Sequence, residues 1–186
     1  MFIYLIKRIL IVSFLVCFAG NALAIDESNV PKQKRTGAGL YFTSLEASEH
    51  MANNAASTLF IDIRDPVEIF ILGMPLAVDR NITFKHIDPT LWNENNETFG
   101  MKVNPDFTQN VSEQLKAKGL SNTDTIILIC GSGIRSASAA SILKKAGYDK
   151  VYSVVDGYRG WQQSRLKWSR ELDKTKVLVN ECNRGL

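Results

Sequence analysis

The sequence predicts an α/β domain built on a mainly parallel sheet, and three observations carry that prediction. Short β-rich runs alternate with helical patterns through residues 39–168, the order that parallel strands joined by crossover helices require. Two of the runs, Leu59-Phe-Ile-Asp-Ile63 and Thr125-Ile-Ile-Leu-Ile129, show little polar alternation, as strands covered on both faces do. The second run ends in Cys130-Gly-Ser-Gly133, with a helical pattern over residues 136–146 close behind it. Strand, glycine turn and helix are thus legible in one stretch.

The other elements follow in order. Residues 25–38 are polar and broken by Pro31 and Gly37, and read as a flexible leader. Leu40-Tyr-Phe42 emerges from it as a first short strand. Thr43-Ser-Leu-Glu46 has capping-box spacing and opens a helix to about Asn53. After the Leu59 strand, Pro66 starts a short helix to Leu72, and a further strand is expected near residues 77–82. Residues 84–105 are rich in asparagine and lack a period, so they read as a long ordered loop pinned to the body by Trp92, Phe99 and Met101. Phe107, Val111 and Leu115 share one face of a helix ending at Gly119. The Thr125 strand, the glycine turn, an Ala-rich helix to Gly147, a strand from Val151 and a last helix near residues 158–163 complete the domain.

A chain of 186 residues has ample length for one core. Lys7-Arg8 precede an apolar stretch from Ile9 to Ala19, and Ala22-Leu-Ala24 places small residues before Ile25. Residues 1–24 therefore read as a signal peptide, because the apolar run is short for a bilayer span. Met1 to Ile6 are apolar as well, which leaves an uncleaved anchor as the competing reading. The expected organisation is a signal peptide over 1–24, the leader over 25–38, one domain over 39–168 and a C-terminal tail over 169–186. A periplasmic or secreted monomer, free of the membrane after cleavage, is the corresponding expectation. The formal charge of +3 includes two cations and no acid within residues 1–24, so the mature chain carries +1. That balance, with no basic run, gives nucleic acid no footing. The mature chain keeps Cys130 and Cys182, too few for a disulfide scaffold.

Chemistry concentrates in Cys130-Gly131-Ser132-Gly133-Ile134-Arg135-Ser136. A thiol at the carboxyl end of a buried strand, on a turn feeding a helix N-terminus, faces unpaired amides and the positive end of the helix dipole. That field favours thiolate over thiol, and glycines let successive amides turn inward as an anion-binding nest. The bland alternative is that Cys130 only fills the core, as free cysteines often do.

The loop resembles the active-site loop of the rhodanese (thiosulfate sulfurtransferase-like) family, whose single domains often read C-x-x-G-x-R-S. Leu59-Phe-Ile-Asp62-Ile-Arg64-Asp-Pro-Val-Glu68 looks like the family's D-x-R-x-x-x-E segment. Val151-Tyr-Ser-Val-Val-Asp-Gly157-Tyr-Arg-Gly-Trp161 is similar to its closing strand, glycine turn and Trp-bearing helix. The likeness covers roughly residues 39–168 and implies a central, mainly parallel, five-stranded sheet with helices on both faces. The family's G-H-I-P-G-A is here Leu72-Gly-Met-Pro75-Leu-Ala77, without the histidine. A subset of exported bacterial members resembles this chain in both that Gly-Met-Pro form and the segment from Leu166 to Lys174.

What the resemblance implies is sulfur transfer by double displacement. Cys130 attacks the outer sulfur of a small anionic donor such as thiosulfate and expels sulfite, and the amides of residues 131–136 hold the resulting persulfide. A thiol, cyanide or an acceptor protein then takes the sulfur. No cofactor or metal is required, and no acid–base partner is either, which suits a mature chain with only His50 and His86. Four residues separate Cys130 from Arg135, one fewer than in the C-x5-R phosphatases, so the ring suits a single sulfur better than a tetrahedral phosphate. Arg135 is expected to supply positive charge, with a loop-holding salt bridge as the alternative. Arg64 is expected to bind the donor's sulfonate end or to pair with Glu68, and Asp62 to be a structural acceptor. Ser132 and Ser136 are candidate hydroxyl donors to the persulfide. An enzyme and a sulfur carrier that passes sulfur between proteins are both compatible with these residues. Cys182 is expected to be dispensable for transfer.

Overall fold

The capping box at Thr43 opens the first helix: the Glu46 amide donates to Thr43 Oγ1, and the Thr43 amide donates to the Glu46 carboxylate. The structure, a computed structural model, describes residues 25–177. Within it lie β1 (Tyr41–Phe42), α1 (Ser44–Asn54), β2 (Thr58–Asp62), α2 (Pro66–Leu72), β3 (Met74–Pro75) and β4 (Arg80–Asn81). There follow β5 (Lys85–Asn93), β6 (Thr98–Val103), α3 (Phe107–Ala117), β7 (Thr125–Ile129), α4 (Ile134–Lys145), β8 (Val151–Val154), α5 (Gly157–Gln163) and β9 (Trp168–Ser169).

The main sheet has five strands in the order β1-β8-β7-β2-β4, every pair parallel. Side chains alternate across it as the pleat dictates. Leu59, Ile61, Ile126 and Leu128 face Phe107, Val111 and Leu115 of α3 and Ala139, Ala140 and Leu143 of α4. Phe60, Ile127 and Ile129 face Ala47 and Met51 of α1, Ile69 of α2, and Tyr158 and Trp161 of α5. Both faces are covered, which is why the strands read as nearly unbroken apolar runs. Asp62 is level with Ile129, so the ends of β2 and β7 rise together at the edge where Cys130 lies. Among the described residues, no helix is long and apolar enough to cross a membrane.

Three expectations change. Residues 84–105 are an antiparallel hairpin, β5 with β6, and not a loop. Pro89 and a register shift between Asp88 and Trp92 break the alternation that would have announced it. Trp92 and Phe99 pack edge-to-face on each other at 5.5 Å and stay exposed, so they stiffen the hairpin and do not pin it to the body. The leader is folded against the domain: Val30 and Thr36 are buried, and the Gly37 amide donates to Ser141 Oγ on α4. The beginning of the expected tail is also engaged. Trp168 and Ser169 pair with Pro75 and Met74, and Val177 bridges Asn81 beside the sheet edge. Unpaired backbone at an edge strand recruits a passing segment whatever its side-chain pattern. The expected signal peptide and Cys182 lie outside the described residues.

Candidate active site

Cys130 follows β7 directly and is 1% exposed. Its sulfur lies in a cradle of backbone. The Gly133 amide donates to Sγ at 3.2 Å and the Ser136 amide at 3.4 Å. The thiol in turn points at Ser136 Oγ, 3.6 Å away. Ser136 Oγ donates to the Gly133 carbonyl at 3.1 Å and meets Ser153 Oγ of β8 at 2.8 Å, which fixes the hydroxyl beside the sulfur. Two inward amides form a site for one anionic sulfur atom, while the Ser136 hydroxyl gives its proton to the Gly133 carbonyl and accepts from the thiol, in place of the expected donation to sulfur.

Two glycines make the cradle possible. Gly133, at the N-cap of α4, has φ +91, and a Cβ there would collide with the Val155 carbonyl. Gly157 has φ +60, and a Cβ there would meet Cys130 O at 2.6 Å and Ser132 N at 2.7 Å. That close approach lets the first turn of α5 bind the back of the loop: Tyr158 N donates to Cys130 O at 2.7 Å and Arg159 N to Gly131 O at 3.2 Å. With those carbonyls held outward, the amides farther along the loop face the sulfur.

Arg135 makes a two-point ion pair with Glu68 of α2, Nη1 to Oε2 and Nη2 to Oε1, both 2.6 Å. Burial works against both charges. The Arg135 hydrogen bonds and charge nevertheless hold Glu68 below the usual carboxylate range, and Glu68 holds the Arg135 guanidinium above its ordinary value. The loop-shaping reading of Arg135 is thus the one the geometry fits, its charge being largely matched by Glu68. Glu68 also accepts from the Asp65 amide as part of the capping box of α2.

Arg64 is not at the cradle. It is fully buried, its guanidinium bonded to the Asp62 carboxylate (Nη2–Oδ2 2.6 Å) and to the Gly73 carbonyl at 2.7 Å, and stacked over the Tyr158 ring at 3.9 Å. This corrects both expectations, because Arg64 neither faces a donor nor pairs with Glu68. The DxR spacing brings Asp62 and Arg64 together locally, and tertiary packing gives Glu68 to Arg135. Tyr158, which the sequence reading passed over, donates from Oη to Leu72 O at 2.6 Å, and burial pushes its phenol up. Gly73 supplies the carbonyl for Arg64 from the Gly-Met-Pro segment, and its φ of +84 brings it against Trp168.

Gly131 lies under the Arg135–Glu68 pair, where an added Cβ would sit 3.4 Å from Arg135 Nη2. Ser132 is half-buried, and Ile134 is exposed at the lip of the loop. Neither histidine reaches the sulfur: His50 Nε2 meets Thr58 Oγ1 at 2.9 Å, and His86 Nδ1 lies 3.6 Å from Asp65. Among the described residues, no cluster of metal-binding side chains occurs.

Comparison with known proteins agrees with this geometry. A family model described as "Rhodanese-like domain" matches residues 43–164. Thiosulfate sulfurtransferase GlpE of Actinobacillus succinogenes is 49% identical over 41 residues, covering 22% of this chain and 37% of that protein. Rhodanese-like domain-containing protein 9, chloroplastic, of Arabidopsis thaliana is 26% identical over 163 residues, 76% of this chain and 63% of that one. The putative sulfur carrier protein YrkF of Bacillus subtilis is 48% identical over 46 residues, a quarter of each chain. The chain thus spans less than two thirds of the length of these relatives. The crystal structure of Rv0390 from M. tuberculosis superposes with a TM-score of 0.50 at 22% identity, covering 69% of this chain and 96% of that one. With its sheet order, cysteine cradle and the match over residues 43–164, this chain belongs to the rhodanese-like domain family.

Proposed function

We propose that this protein is an exported sulfurtransferase that moves a sulfane sulfur through a Cys130 persulfide. The observation that carries the reading is the sulfur of Cys130, met by the Gly133 and Ser136 amides inside a loop with four residues between cysteine and arginine. In the first half-reaction the thiolate attacks the outer sulfur of thiosulfate. The S–S bond of the donor breaks, its electron pair leaves with sulfite, and a Cys130 persulfide forms. In the second, a nucleophilic acceptor (a thiolate, cyanide or a protein cysteine) attacks the outer sulfur and returns Cys130 as thiolate. Neither step moves a proton to a leaving group, so the distance of both histidines from the sulfur is no obstacle. The amide cradle compensates the negative charge without reorganising. The N-terminal pattern of residues 1–24 supports export, and the protein is read as a monomer.

The test is intact mass after purification, with and without thiosulfate. One added sulfur atom, removable by cyanide and lost in Cys130→Ser, is the expected result. Loading that persists in Cys130→Ser would move the chemistry to another residue.

A second reading, a carrier that accepts sulfur and passes it only to a partner protein, draws on the likeness to the putative sulfur carrier. Continuous thiocyanate production from thiosulfate and cyanide identifies the enzyme. A single stoichiometric loading without turnover identifies the carrier.

A further inference from the structure

Lys34 lies outside the residues that match the family, yet it touches the wall of the cradle. Its Nζ donates to the Val155 carbonyl at 2.8 Å. That carbonyl packs directly on Gly133, the residue whose amide donates to Cys130 Sγ at 3.2 Å. We propose that Lys34 is a positioning residue for Cys130: the leader delivers an ammonium to the back of Gly133, where it steadies the amide and offsets a carbonyl dipole facing the anion-holding loop.

Two features support this assignment. The leader is fixed by contacts of its own, so the ammonium is delivered by a folded segment. Val30 is 2% exposed, the Thr36 amide donates to Tyr41 Oη at 2.9 Å, and the Gly37 amide donates to Ser141 Oγ at 3.0 Å. The contacts from Nζ through Val155 O and the Gly133 backbone also place the charge within about 11 Å of Sγ. The Val155 carbonyl turns its negative end toward the same backbone. An ammonium bonded to that oxygen draws the density away, and a negative charge forming at Sγ then meets a more favourable field. A unit charge at this range, in a medium between protein and water, changes a rate by about three- to tenfold. This role rests on the reading of Cys130 as the sulfur-accepting nucleophile.

The test uses the full chain with Lys34→Met and Lys34→Arg, and two probes. Iodoacetamide, a neutral reagent, reports the nucleophilicity of Cys130, followed on the peptide that contains it. Thiosulfate reports single-turnover sulfur loading. Lys34→Met is expected to slow both about three- to tenfold with its melting midpoint little changed, and Lys34→Arg to restore both to within about twofold. Wild-type rates in Lys34→Met would overturn the proposal, as would a loss that arginine fails to restore, since the lysine would then serve packing alone. Slowed alkylation in a protein that thiosulfate never loads would uphold the role of Lys34 and defeat the sulfur-donor reading.

Discussion

Glu68 and Arg135, 67 residues apart in the chain, face each other through two parallel hydrogen bonds of 2.6 Å. Their side chains are 22% and 17% exposed. The pair ties α2 to the Cys130 loop, and its fork geometry is what an arginine supplies and a lysine does not.

Arg135→Lys and Arg135→Ala are therefore expected to slow persulfide formation by similar factors, about tenfold or more, because both lose the fork. Single-turnover loading followed by mass measures this. A lysine variant that loads at the wild-type rate would show that charge alone suffices.

Glu68 gives stability a pH dependence of definite sign. Its carboxyl is depressed in the folded protein, since the bonds from Arg135 overcome the opposing effect of burial. The stabilisation is then fully present above the unfolded carboxylate value, about 4.3, and is lost as pH falls through the lower folded value. Glu68→Gln is expected to lower stability by about 1–3 kcal/mol at pH 7 and to flatten this acid limb. Melts between about pH 3 and 7 on both proteins decide it, and parallel curves would count against the assignment.

Gly133→Ala meets two obstacles at once, φ +91 and the Val155 carbonyl. The expected cost is about 1–3 kcal/mol of stability, with more than about a hundredfold loss of sulfur loading as the amide turns away from Sγ. Denaturant unfolding separates the two effects. An alanine variant that loads normally would show that the cradle re-forms around the methyl.

Arg64→Lys tests the frame. The guanidinium bonds Asp62 and Gly73 and covers Tyr158, all within the interior. Lysine cannot span these partners, so a loss of about 3–5 kcal/mol is expected. In whatever fraction stays folded, the KM for thiosulfate should remain near the wild-type value. A raised KM without a stability change would return Arg64 to the donor site.

The strands of the main sheet, the helices between them and the position of Cys130 were written in the sequence, because they depend on short-range patterns; the β5–β6 hairpin was not. Ile126 to Ile129 is apolar throughout because both faces of β7 are covered, and the glycines after Cys130 mark the turn that puts sulfur at the sheet edge. The capping box at Thr43 gave the start of α1, and Pro66 gave that of α2, whose own capping box at Asp65 only the structure revealed.

The partners within the site were decided only by the fold. In the sequence, Arg64 and Glu68 stand one helical turn apart and invite a local pair. In the structure Arg64 lies in the interior with Asp62, and Glu68 turns to Arg135. Ser153, Tyr158 and Gly157 enter the site through β8 and α5, which meet β7 and its loop only after the sheet assembles. Lys34 reaches Val155 across 121 residues, a contact no local pattern encodes. Local periodicity specifies which face of an element is buried; which polar group meets which depends on packing among elements distant in the chain, and that arises only when the whole domain closes.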